Sequence, residues 1–131
     1  MSLRRPMTPA SVMVMHDMTN WAKRCFELTD FGTHAAVSVV TINGASDDAN
    51  GCNIEGQYYL WLKVCRGGRA FSFHYSLDGE KFNMTRYFLM PETKAIKVGL
   101  LAQAPTGNGS KRIYENLSIE HITVKNIRAG E

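Results

Sequence analysis

Hydrophobic and polar residues alternate along most of this chain, as in 21-WAKRCFEL-28, 58-YYLWLKVCR-66 and 69-RAFSFHYS-76. Successive side chains of an extended strand point to opposite faces, so a period of two marks strands with one buried and one open face. The pattern predicts strands at Ala10–His16, Asn20–Thr29, His34–Asn43 and Tyr58–Arg66, then at Arg69–Ser76, Met84–Met90, Ala95–Ala104 and an interrupted Ile113–Val124. Turn chemistry separates them at Asp30-Phe31-Gly32, Arg66-Gly67-Gly68, Leu77-Asp78-Gly79-Glu80 and Pro105–Gly109. The Asp-Gly pair between 69-RAFSFHYS-76 and 82-FNMTRYFLM-90 reads as a hairpin. Gly44 to Gln57 reads as the one long polar loop. No helical stripe persists over ten residues, so the expected fold is an all-β antiparallel β-sandwich.

Parity divides the strands into two inventories. Phe71, Phe73 and Tyr75 share a face, as do Leu60, Leu62 and Val64, and Ile96, Val98 and Leu100; these are the expected core. The opposite faces carry Trp21, Lys23, Cys25 and Glu27, then Tyr59, Trp61, Lys63 and Cys65, then Ser72, His74 and Ser76, with Arg86 and Gln103 joining them. Any one of these is ordinary on a sheet surface. Exposing Trp21, Tyr59 and Trp61 together is costly without a partner. Rings for the apolar faces of sugars, beside polar groups that can pair with hydroxyls, suit a polyol-binding surface.

Length and composition narrow the classes. The 131 residues are expected to form one domain over 1–131, with 1–9 a disordered or cloning-derived start. A hydrophobic content of 44% excludes a disordered chain. The net charge of +3 is scattered, and Lys63, Arg66 and Arg69 form no dense stripe, so no nucleic-acid partner is expected. No window has the length of a membrane span or the layout of a signal peptide. Three cysteines without CxxC or Cys/His ligand spacing favour the reducing cytoplasm and no zinc site. Asp47, Asp48 and Asn50 offer oxygen ligands, but at no recognised calcium spacing, so neither metal nor cofactor is expected.

Six ordered motifs carry a family resemblance: W-x-K-x-C-x-E at Trp21–Glu27, 37-VSVVT-41, SDDAN at Ser46–Asn50, 73-FHYSLDG-79, 85-TRYF-88 and 98-VGLLAQAP-105. From about Ala10 to Ile119 the chain resembles the domain-of-unknown-function family that includes YesU-like bacterial proteins and the yeast "regulation of enolase" protein. The resemblance implies a concanavalin A-like lectin/glucanase sandwich, a jelly roll whose curved sheet lines a groove. Family members usually carry further strands ahead of the point where this chain starts. A sandwich lacking them would have uncovered edges, which favours a homo-oligomer.

Three functions stay open. Glycosidases need two carboxylates about 5–5.5 Å or about 6.5–9.5 Å apart; Glu27 is the only acid within a groove-facing run, and Asp47, Asp48 or Asp78 would have to partner it. A lyase could draw on His74 as base with Arg86, Lys23 and Gln103, although Tyr75 then points to the core. The favoured reading assigns no catalytic residue and binds a carbohydrate, with Trp21, Tyr59 and Trp61 stacking and Lys23, Glu27, Ser72, His74, Arg86 and Gln103 hydrogen-bonding. The third reading is a protein-interaction module.

Overall fold

A computed structural model describes residues 10–91, 95–105, 107–109 and 111–131; the expected start at 1–9 lies outside them. The described residues form eight strands: β1 (Ala10–Asp17), β2 (Asn20–Leu28), β3 (His34–Ile42), β4 (Ala45–Asn53), β5 (Trp61–Gly67), β6 (Ala70–Ser76), β7 (Asn83–Leu89) and β8 (Lys97–Ala102). They build two antiparallel sheets, one ordered β4-β3-β2-β1-β8 and the other β5-β6-β7. The chain is an all-β antiparallel sandwich of the jelly-roll kind.

Alternation decides what the two sheets bury. Val14, Ala22 and Val40 of the first sheet meet Phe71, Phe73 and Phe88 of the second, with Met90 beside them. Phe73 and Phe88 pack at 5.0 Å between ring centroids. Phe26, Ala36 and Ile54 form a second cluster, against which Leu60 and Tyr75 pack. Such layers, apolar on their facing sides, are held mainly by the water they exclude.

Three expectations need correction. Gly44–Gln57 is not a loop, because Ala45–Asn53 is edge strand β4, paired with β3. Asn43 and Gly44 adopt positive φ of 50° and 80°, the tight hairpin turn that Asn-Gly favours. Asp47 and Asp48 are tolerated because an edge strand gains from charge that discourages further pairing. Second, Ile113–Val124 forms no strand, and Ile113, Leu117, Ile119 and Ile122 remain 62–73% exposed. Third, Val98 and Leu100 do stand opposite Val14 and Val12, on the core side. They are nevertheless 43% and 42% exposed, because three strands do not reach across five.

Candidate functional site

The nine residues expected to bind a ligand fall on three surfaces. Ala22 and Phe26 of β2 point into the sandwich, so Trp21, Lys23, Cys25 and Glu27 point outward from the five-stranded sheet. Gln103 reaches this face just beyond β8, where the Lys23 ammonium donates to its Oε1 at 2.6 Å. Opposite Lys23 across β3 stands Asp48 of β4, again on the outward side. Burial raises the Glu27 carboxyl above its ordinary pKa; Lys23 pulls it down, and the charges of Asp48 and Asp30 push it up again. The floor between these side chains is closed: Ser11 and Cys25 are fully buried, and the Ser11 hydroxyl donates to the Cys25 sulfur at 2.9 Å. The Tyr114 hydroxyl bridges the β1–β8 seam, accepting from the Ser11 amide at 3.1 Å and donating to the Leu101 carbonyl at 2.6 Å.

Tyr59, Trp61, Ser72 and His74 belong to the outward side of the other sheet. Trp61 is 40% exposed and Tyr59 62%, their rings edge to face at 5.4 Å. The Trp61 indole lies on Gly79, where a side chain's Cβ would come within 2.9 Å of Cε2. The Asp78 carboxylate accepts from the amides of Lys81 and Glu80 and from the Ser76 hydroxyl, which holds its pKa down at about 2 and fixes the turn beneath Trp61. An open cleft of about 780 Å³ lies between this turn, Lys63 and the Ala129–Glu131 segment.

Ser72 and His74 are fully buried, because the chain's own residues 127–131 lie over them. The Ser72 hydroxyl donates to the Ile127 carbonyl at 2.6 Å, and His74 Nε2 is 2.8 Å from Ser72 Oγ. Lys63, opposite His74 in β5, donates to the Gly130 carbonyl at 3.3 Å. Gly130 sits on the imidazole, and any Cβ there would lie 3.2 Å from Cε1. Asn126 closes the covering turn through its Oδ1 and backbone. Arg86 is on neither outward face. It stands opposite Phe73 and reaches between the layers to Asp47 at 3.1 Å.

The structure therefore brings Lys23 and Gln103 together on the face that carries Trp21 and Glu27, and brings Tyr59 to Trp61. It does not unite the two sets. The lyase quartet is dispersed too, since Lys23 and Gln103 face one way, His74 the other, and Arg86 lies between. Sequence reasoning named Asp48 but placed it in a loop rather than on a strand, and it passed over Arg24, which occupies a core-parity position between Ala22 and Phe26, where a charge was the available signal. Among the described residues no group of three or more His, Cys, Asp or Glu is placed to hold a metal ion. Nor do the described residues form a helix long and apolar enough to cross a membrane.

Comparison with known proteins defines the class. Residues 8–122 match a family described as "Protein of unknown function (DUF1349)", and the chain belongs to that family. It is also similar to a structure titled as that of a functionally unknown protein from Saccharomyces cerevisiae, at 28% identity and a TM-score of 0.69 over 79% of this chain. The chain spans 55% of that yeast chain's length. No curated protein matches it significantly.

Proposed function

We propose that the protein binds a carbohydrate or related polyol, without catalysis, on the outward face of its five-stranded sheet, in a sandwich of the concanavalin A-like lectin/glucanase type. The Lys23–Gln103 contact at 2.6 Å carries this reading, because it links the central strand of the face to its β8 edge in a single polar surface beside Trp21 and Glu27. Trp21 supplies a ring for the apolar side of a sugar, and Lys23, Gln103 and Glu27 supply donors and acceptors for its hydroxyls. Tyr59 and Trp61 form a second aromatic shelf on the other sheet. Ser72 and His74 could contribute only after residues 127–131 move away. Three free cysteines support a reducing, cytoplasmic setting.

One observation favours a second reading, a protein-interaction module or homo-oligomer. Ile113, Leu117, Ile119 and Ile122 are all exposed within one irregular segment, and exposed apolar side chains that gather on a surface mark interaction sites.

Titration with neutral and uronic-acid oligosaccharides, followed by tryptophan fluorescence, tests the proposal on wild type, Trp21→Ala and Trp61→Ala. We expect a saturable shift that Trp21→Ala abolishes and Trp61→Ala keeps. A shift lost only in Trp61→Ala moves the site to the other sheet. A flat response across the panel rejects sugar binding, and cleavage of a sugar over time would restore the enzymatic reading.

A further inference from the structure

Arg24 lies between the sheets, and no carboxylate among the described residues is paired with it. It is fully buried, and its Nη1 donates to the Ala36 carbonyl at 2.9 Å. That carbonyl faces the β4 bulge, where a side chain at Gly51 would collide with it. Among the described residues the Nε and Nη2 groups have no hydrogen-bond partner. Directly opposite on β3 stands Ser38, equally buried, whose Oγ also has no partner. The Tyr75 ring is 5.9 Å from the guanidinium carbon. Burial lowers the guanidinium pKa to about 10, and the neighbours that favour its charged form are Cys52, Cys25 and Tyr75, none of them a carboxylate. Arg86, the other guanidinium between the layers, already has Asp47.

A buried cation without a counter-charge is among the costliest arrangements in a protein interior. Water would satisfy the hydrogen bonds and leave the charge unbalanced. The geometry of the free edge is specific. Nε–H and one Nη2–H run parallel along one side of the guanidinium, a fork that matches two oxygens of a carboxylate. Ser38 pairs with Arg24 across the ladder, with Cβ atoms of such pairs about 4.5–5.5 Å apart, so its unpartnered hydroxyl shares the inward side from which the fork extends.

We propose that Arg24 and Ser38 form an internal anion site between the sheets, and that its occupant is a small carboxylate. Nε and Nη2 of Arg24 hold its two oxygens, and the Ser38 hydroxyl donates to one of them. The site is separate from the outward face bearing Trp21 and Lys23. Because Arg24 is sealed from solvent, loading requires a local opening of the sandwich.

The probes are formate and acetate, with chloride at equal ionic strength as the control. Wild type, Arg24→Met and Ser38→Ala are equilibrated overnight with each salt and then unfolded thermally. Methionine replaces the charge with an apolar chain of comparable length that adapts to irregular space. General salt effects act on all three proteins alike and cancel in the comparison. In wild type, formate and acetate should raise Tm by a few degrees for each tenfold increase beyond half-saturation, and chloride should not. Arg24→Met should show no such rise, and Ser38→Ala should need about tenfold more formate for the same rise. Binding is also read directly from line broadening of 13C-formate by wild type against Ser38→Ala, which keeps the test intact should Arg24→Met not fold. Equal responses of wild type and Arg24→Met, or no formate response and no broadening in wild type, overturn the proposal.

Discussion

Acid should loosen the cover on the three-stranded sheet through His74. The imidazole is fully buried, pressed by Gly130 and bonded through Nε2 to Ser72 at 2.8 Å. Burial lowers its pKa below the ordinary 6.5; the Ile127 backbone opposes this, while the charges of Lys63 and Arg24 add to it. In the unfolded chain the same residue takes up a proton near pH 6.5, which the folded protein refuses until the pH is lower still. Between those two points the unfolded state holds more protons, so stability is complete above pH 6.5 and falls as the pH drops through the folded value. One proton allows a slope of at most about 1.4 kcal/mol per pH unit. Against a total stability of about 5–15 kcal/mol that is readily measured. Urea unfolding of wild type and His74→Gln from pH 7.5 to 4.5 isolates the effect, since glutamine can still bond Ser72 and every other residue is common to both proteins. Glu27 acts in the opposite sense, because its raised pKa favours folding at low pH and that contribution fades as the pH rises; it too cancels in the difference. We expect wild type to lose stability relative to His74→Gln below pH 6.5. A difference that is flat with pH, or that grows above pH 7, would refute the reasoning.

Two further outcomes follow from packing. Phe73→Ala should cost about 3–5 kcal/mol in urea unfolding, because Phe73 is fully buried among residues from both sheets; a cost under about 1 kcal/mol would mean that the layers do not meet there. Gly79→Ala should cost at least about 1 kcal/mol, since φ is +80° and the new Cβ presses on Trp61. The same substitution should move the Trp61 emission, and an unchanged spectrum would place the indole away from the turn.

Period-two alternation made most of the strands legible, and Asp78-Gly79 marked its turn. The misreadings arose where competing signals were local. Ala45–Asn53 is rich in Asp and Asn, which are poor strand formers, and that composition masked the Asn43-Gly44 hairpin signal in front of it. Ile113–Val124 carries strand-forming residues but finds no neighbour among the described strands, and alternation reports an amphipathic strip whether or not a partner exists. The candidate site was legible in parts. Parity placed Trp21, Lys23 and Glu27 together, because they share a strand. It could not say that β2 and β5 belong to different sheets, since facing is relative to each strand's own layer. Nor could it foresee residues 127–131 lying on Ser72 and His74, because that contact depends on where an irregular segment comes to rest.

The pairing of β1 with β8 sets this fold's kinetics. β1 to β4 form one run of successive hairpins and β5 to β7 another, so nearly every ladder joins strands that are neighbours in sequence. The exception brings Ala10 against Ala102, about ninety residues away. Local hairpins close within about 1–10 µs, whereas bringing distant segments together carries an entropic cost that grows with the loop enclosed. Two meanders should therefore zip early and independently, with β8 docking last against β1. On unfolding, the same edge should open first, and its amides should be the earliest in the sheet to exchange their hydrogens with solvent.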